Sequence, residues 1–441
     1  MVGLSGISRS LCGYAYPMET ALLRPRFPDS DPRWARTWDA AVAILMNNQR
    51  HVLSYKQRVL VEGAQYGGIW MEGAPQEGLV FAGLADYIPR WASQPTPQMI
   101  ARANHTAFFA LQREDGQIPA WMGSVAGAVG VGFGQIQMVV PIAATAWELA
   151  EQTKDEKLLI SAYSASSAWD GWLRRYRDTR KTGLVEGFCT YDTGEDLSPR
   201  WKGMPSQCPN ADARKCARVK GLPRLCPDLS ATVYGGRIAL AAMANALGKR
   251  AEADRWLTDA ETIRRLIIEK LYCPEDAAFY DLDAEGNFVR VRGVAMTRVL
   301  GEHVLKLDIP SDRHIFDELW VRQIHNPKAF WAPYPFPSIA LNDPTFSRPV
   351  PLNSWGGASQ PLTALRTLRW MEHYGKHKEL IHLMRQWVEA ISRPDTPLQQ
   401  IDPVTGEFSK PESPGYSPTA LIYLEFIRRL QNLPADKSGT A

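Results

Sequence analysis

Apolar residues return at every third or fourth position in about a dozen separate segments, and this pattern limits the chain's possible folds more than any other feature. Trp34, Trp38, Ala41, Val42 and Leu45 share one helical face, as do Ile100, Ala103, Ala107, Phe108 and Leu111. The spacing recurs through Ile142, Ala146 and Leu149, from Leu159 to Leu173, and through Tyr234, Ile238 and Ala242. It continues from Trp256 to Leu271, over 361–374, from Leu380 to Ile391 and from Leu421 to Ile427. Weaker candidates cover 76–89, 295–307 and 312–323. Gly248 and Gly375 stand where helices should stop. Short connections make most of these helices antiparallel neighbours. Strand signals are few: 279–282 and 288–291 flank Asp-Ala-Glu-Gly-Asn and read as one small hairpin. No period of 33–47 residues marks a named solenoid repeat.

Two architectures fit: an open α-solenoid, or a closed toroid of six helical hairpins. Segments 114–136, 177–230, 325–360 and 393–417 fall between helices and carry most of the unusual residues. A toroid would gather such loops at one mouth. The expected fold is therefore all-α, an (α/α)6 barrel with a small β-hairpin. Nothing in the composition suggests an internal linker. The expected organisation is an N-terminal extension over 1–30, a single catalytic domain over 31–432 and a polar tail over 433–441.

Several function classes drop out. Fifty basic residues against 47 acidic leave a net charge of +3, with no electrostatic case for nucleic acid or an anionic membrane. No stretch approaches the roughly 20 apolar residues of a membrane span, and 1–28 holds no apolar run fit for a secretory leader. The cytoplasm is the expected compartment; export stays open through a leader cleaved ahead of this numbering. Cys208, Cys216 and Cys226 lie eight and ten residues apart, which is not zinc spacing. They imply one disulfide in an exported protein and free thiols otherwise. No H-E-x-x-H occurs, and His373 and His377 straddle Gly375, so no metal and no cofactor are expected. The glycines from Gly123 to Gly134 follow no strand and lack a closing Lys-Ser/Thr, which argues against a phosphate loop. A flexible loop over a cavity is the expected structure there. No G-x-S-x-G elbow appears.

Carboxylate chemistry remains. Residues 191–201, Tyr-Asp-Thr-Gly-Glu-Asp-Leu-Ser-Pro-Arg-Trp, crowd Asp192, Glu195, Asp196 and Arg200 between Tyr191 and Trp201. Gly194 and Pro199 interrupt any helical period, so this is a loop, and charged groups on a loop held between helices suggest a site. Glycoside hydrolysis needs one carboxylic acid to protonate the leaving oxygen and one carboxylate to activate water or attack carbon. Residues 397–407 offer Asp402 and Glu407 as partners, with Glu412 just beyond. The 15 Trp, and the interleaved prolines and aromatics of 330–337, suggest sugar-stacking walls at Trp331, Tyr334 and Trp355. Gln135 and Gln137 could hydrogen-bond a ligand.

In this order the motifs resemble glycoside hydrolase family 63 and the related mannosylglycerate hydrolases. Residues 192–201 are similar to the family's E-S-G-x-D-[ND]-S-P-R-W loop, and 114–119 to its x-D-G-x-I-P segment. Residues 331–344 with Trp355-Gly-Gly are similar to P-S-[VI]-A-x-[DN]-D-P and W-R-G. Residues 402–407 and 416–420 resemble the family's ending, E-x-x-[DN]-P-x-T-G-E followed by F-S-W-T-A. The resemblance implies an (α/α)6 toroid and Asp196 as general acid. It also implies a general base at position 399, where this chain has Gln399, an amide that takes no proton at neutral pH. The arginine of W-R-G is replaced by Gly356.

The expectation is a glycosidase acting on a small saccharide or glycoside by inversion. Asp196 is its acid, Glu407 its relocated base, and Gln399 orients the water. Glu72, Gln137, Tyr191, Asp192, Arg200, Trp201, Trp331, Tyr334 and Trp355 are the expected substrate contacts. Two alternatives stay open. One is an isomerase, lyase or dehydratase in which Asp196 pairs with Glu72, Asp192 or Glu195; the other is a carbohydrate-binding relative without catalysis.

Overall fold

The structure is a computed structural model that describes residues 23–27, 31–53, 55–90, 94–125, 128–348, 352–394, 396–409 and 413–432. Most of the expected N-terminal extension, the C-terminal tail and the candidate base Glu412 lie outside these residues.

Twelve α-helices follow the predicted order among the described residues: α1 Pro32–Asn47, α2 Ala74–Gly83, α3 Pro97–Ala110, α4 Ile142–Thr153, α5 Glu156–Tyr176 and α6 Pro227–Ala246. After these come α7 Arg250–Leu271, α8 Ala295–Gly301, α9 Pro310–Leu319, α10 Pro361–Arg366, α11 His377–Ile391 and α12 Ser417–Gln431. The even-numbered helices close a ring: α2 packs on α4, α4 on α6, α6 on α8, α8 on α10, α10 on α12, and α12 returns to α2. Odd-numbered helices lie outside it, with α3 on α2, α5 on α4, α7 on α6, and α1 and α11 both on α12. This is the six-hairpin toroid. Burial separates the two layers: α12 is buried continuously from Ser417 to Ile427, whereas α7 buries mainly the stripe Ala260, Ile263, Arg264, Ile267 and Leu271.

All six inner helices begin at the same end, and Pro occupies the first turn of α2, α6, α10 and α12, where its missing N–H costs nothing. The long loops converge there too. No helix among the described residues is long and apolar enough to cross a membrane.

The glycine-rich segment is not a flexible loop. Trp121–Val125 pairs with Ala128–Gly132, and Ile69–Trp70 adds a third antiparallel strand. Glycine is needed at 132 because a Cβ there would lie 1.8 Å from the indole of Trp121. The predicted hairpin forms between Asp281–Leu282 and Phe288–Val289, and it extends through Arg224–Leu225 to Glu186–Gly187. That four-stranded sheet underlies the acidic loop.

Candidate active site

The acidic loop is held by two buried ion-pair centres, one at each end. At its start the Asp192 carboxylate accepts five donors: Nη1 and Nη2 of Arg177 and the backbone N–H groups of Ile136, Phe188 and Cys189. Both Asp192 and Arg177 have fully buried side chains. At its end Arg200 bonds Glu195 at 3.0 Å, Asp228 at 2.7 Å and Asp281 at 2.6 Å. Burial works against ionisation of Asp228, yet Arg200 and Arg298 hold its carboxyl down at about 2. Trp201 is buried as well, its Nε1 donating to Thr193 Oγ1 at 2.9 Å. Asp192, Arg200 and Trp201, expected as substrate contacts, are thus buried in the loop's own supports and do not line the cavity that Asp196 faces.

What the loop presents is Asp196. Gly194 (φ 67°) lets the backbone pass against Glu72, where a Cβ would come within 2.4 Å of Oε2. Leu197, directly after Asp196, also has positive φ, 57°, a strained backbone for a non-glycine residue and one favoured at functional sites. Asp196 is half-buried; its carbonyl accepts from Trp355 N at 2.9 Å, and Oδ2 accepts from Asn353 Nδ2 at 2.8 Å.

Asn353 faces two ways. Its Oδ1 accepts from Gln399 Nε2 at 3.2 Å, so a single amide bridges Asp196 and Gln399. Gln399 is 2% exposed, and its side chain also meets the Tyr66 hydroxyl. The next residue, Gln400, locks the 352–360 strap: its Oε1 accepts from Ser354 N and Gln360 Nε2, each at 3.0 Å. At Gly356, where the resemblance implies an arginine, a Cβ would lie 2.7 Å from Ser347 Oγ, so a side chain there would displace that hydroxyl.

Asp196, Asn353 and Gln399 line a cavity whose aromatic walls are Tyr66, Trp70, Trp355 and Tyr416 and whose further polar lining is Glu62, Glu72, Gln137 and Gln360. About 50 Å³ is open to the centres of water molecules, room for roughly three or four waters. Glu72 Oε2 accepts from Gln137 Nε2 at 3.1 Å, while Oε1 is buried without a hydrogen bond, 3.8 Å from Arg366. Burial raises the Glu72 carboxyl against the pull of Arg366 and Arg298. Behind it Glu77 is fully buried, and burial with the Glu72 charge pushes its carboxyl up to about 8. Glu62 is 6% exposed; burial, followed by Glu77, Glu72 and Asp196, raises it well above the usual range. Trp355 Nε1 is a further buried donor without a partner. Such orphaned polar atoms around one cavity are the pattern expected of a ligand site.

Of the residues singled out in the sequence, Asp196, Gln399, Glu72, Gln137 and Trp355 come together here. Others do not. Tyr191 is half-buried and does not line this cavity, although burial and then the Asp196 charge raise its hydroxyl. Trp331 packs among His325, Phe336 and His382, and the Tyr334 ring covers Gly406 with its hydroxyl accepting from Arg393. Both belong to a packed strap. Glu407 is exposed on a surface turn that Asp402 closes by accepting from Val404 N and Thr405 N. The structure therefore does not bring Glu407 to Asp196. Glu62, Tyr66, Trp70, Asn353 and Gln360 were missed; the only hint of Glu62 was a lone carboxylate ending the apolar run 59–61. The described cysteines are free: Cys208 Sγ lies 3.7 Å from Cys189 Sγ, and Cys216 packs against the same cluster.

The architecture is shared with solved structures. The GH63 mannosylglycerate hydrolase from Thermus thermophilus, in complex with glucose, is 18% identical with a TM-score of 0.68, covering 88% of this chain and 99% of that one. Neutral trehalase from Saccharomyces cerevisiae is 10% identical with a TM-score of 0.60, over 88% of this chain and 77% of that one. The GH78 rhamnosidase of Bacillus sp. GL1 is 14% identical with a TM-score of 0.57, over 90% of this chain and 35% of that one. A sequence comparison with curated proteins finds no match. These likenesses establish the fold, and the sequence family narrows it: the profile described as "Mannosylglycerate hydrolase MGH1-like glycoside hydrolase domain" matches residues 90–419. With three quarters of its length inside that profile and the acidic loop at the mouth of a six-hairpin toroid, the chain belongs to the MGH1-like glycoside hydrolase family and is a glycosidase.

Proposed function

We propose that the enzyme hydrolyses the glycosidic bond of a small saccharide or glycoside with inversion at the anomeric carbon, Asp196 acting as general acid. The observation that carries this reading is the Asp196–Asn353–Gln399 bridge inside one aromatic-walled cavity. Asp196 supplies a carboxyl at the loop mouth. Gln399 offers an amide that can hold a water molecule but cannot attack carbon, so water is the nucleophile and inversion follows. Tyr66, Trp70, Trp355 and Tyr416 provide flat apolar faces for a sugar ring. Glu72, Gln137 and Gln360 provide hydrogen bonds at its edge. A small saccharide or glycoside is the partner proposed here.

The test is leaving-group dependence. Asp196→Asn should lower kcat roughly 10²–10⁴-fold on a methyl glycoside, where protonation of the leaving oxygen is required. It should cost far less on the dinitrophenyl glycoside of the same sugar, whose leaving group departs as an anion. Equal losses on both substrates would remove Asp196 from the acid role.

A further inference from the structure

The bridge just described leaves the hydrolysis one group short. Water attacking an anomeric carbon must hand its proton to a base, and the amide at 399 accepts none. Among the described residues the cavity wall carries three carboxyls, Asp196, Glu72 and Glu62. Glu72 accepts from Gln137 at Oε2 and stands 3.8 Å from the Arg366 guanidinium at Oε1, a charge partner that favours its anion without serving as a water site, and Gly194 packs against its face. Glu62 differs. Its backbone is pinned, with its N–H donating to Gly68 O at 3.1 Å and its carbonyl accepting from Ser417 N at 2.7 Å. Its side chain opens onto the wall formed by Tyr66 and Tyr416, and Tyr66 leads directly to Gln399.

We propose that Glu62 is the catalytic carboxylate that replaces the base missing at position 399, taking the proton of a water held beside Gln399 and Tyr66. The inference rests on the hydrolytic reading of Asp196. In the step it assigns, the water oxygen bonds to the anomeric carbon while the bond to the leaving oxygen breaks. The leaving oxygen takes the Asp196 proton, and the water's proton passes to Glu62. Proton return from Glu62 to Asp196 through cavity water restores the enzyme, so no external acid, base or oxidant is needed.

The groups facing Glu62 shape this role. Burial opposes its ionisation most, followed by Glu77 in the first turn of α2, Glu72 just ahead of that helix and Asp196 from the acidic loop; Arg366 from α10 favours it. The Tyr66 and Tyr416 hydroxyls are themselves held protonated by burial and by the Glu62 charge. A base poised above the ordinary carboxylate range is a better proton acceptor near neutral pH. The acidic limb of the pH–rate profile should accordingly follow Glu62 and lie above that of a typical carboxylate.

Four proteins decide the matter: wild type, Glu62→Gln, Glu62→Ala and Asp196→Asn, assayed on dinitrophenyl and methyl glycosides of one sugar. Glu62→Gln should lose roughly 10²–10⁴-fold on both substrates, because water activation is needed whatever leaves. Glu62→Ala should regain turnover of the dinitrophenyl glycoside in sodium azide, giving a glycosyl azide of inverted configuration. Folding is checked apart from activity by circular dichroism of each variant, and azide rescue of Glu62→Ala itself requires an intact cavity. If Glu62→Gln stays within a few-fold of wild type while Asp196→Asn shows its selective loss, the Glu62 assignment falls and the hydrolytic reading stands. If Asp196→Asn shows no leaving-group selectivity, the hydrolytic reading falls and takes the assignment with it.

Discussion

Asp192 separates a scaffold residue from a ligand contact, and the structure sets the size of the effect. Its carboxylate oxygens receive only donors: Arg177 Nη1 and the N–H groups of Phe188 and Cys189 at Oδ2, Arg177 Nη2 and the Ile136 N–H at Oδ1. Asp192→Asn conserves shape but turns one oxygen into an NH2, which then opposes two or three donors. It also leaves the Arg177 guanidinium fully buried without its counter-charge. Breaking a buried pair from one side costs about 3–5 kcal/mol. An unfolding entropy of about 2.1 cal/mol/K per residue gives a 441-residue chain about 0.9 kcal/mol/K, so the expected loss in Tm is about 3–5 °C. Asp196 lies four residues downstream on the same loop, so kcat should fall with Tm while KM changes little. Thermal unfolding by circular dichroism, alongside kcat and KM on one glycoside, checks both. An unchanged Tm with a large rise in KM would refute the argument and make Asp192 a sugar ligand.

Two further outcomes follow from the same geometry. Gln399→Glu places a carboxylate beside the Asn353 bridge and should raise turnover of a dinitrophenyl glycoside at least about tenfold; an unchanged rate in a folded variant would mean that no water sits at this position. Glu302, at the far end of the ring, is 7% exposed and pressed against Gly235, and burial raises its carboxyl from 4.5 to about 7. The folded state then holds a proton that the unfolded state has released, so stability falls as pH rises from about 4.5 to about 7, by up to about 3 kcal/mol. Glu302→Gln removes that loss, and its Tm advantage over wild type should widen from pH 4.5 to pH 8; a constant difference would contradict the burial argument.

The helices were legible because the toroid's two layers write themselves into the sequence. Outer helices such as α7 need an apolar stripe facing inward and show clean periodicity, and inner helices such as α12 are buried along most of their length while keeping an apolar run, Ala420 to Leu424, that is easily recognised. The strands were less legible. Most are two residues long, and the pair 121–132 looks like a glycine-rich loop until Trp121 is seen lying across Gly132.

At the site, Asp196 could be singled out because its loop packs recognisable residues into one short segment. Asp192 and Arg200 sat in that segment too, but their partners Arg177, Asp228 and Asp281 are 15, 28 and 81 residues away, beyond what local spacing can show. Glu407 was read from its place beside Gln399, yet the turn that closes at Asp402 directs it outward. Glu62 ends an ordinary apolar run and gains meaning only when Ser417, from the opposite end of the chain, pins its backbone at the cavity.

The most direct test of the central claim is the configuration of the sugar at the moment of release. Proton NMR of a single anomer of a glycoside, followed through the first minutes of hydrolysis by the wild-type enzyme, reports the anomer formed before mutarotation. The account predicts that the opposite anomer appears first and then equilibrates. First appearance of the substrate's own anomer would mean that a carboxylate, not water, attacks carbon, and the roles assigned to Asp196, Gln399 and Glu62 would be contradicted together.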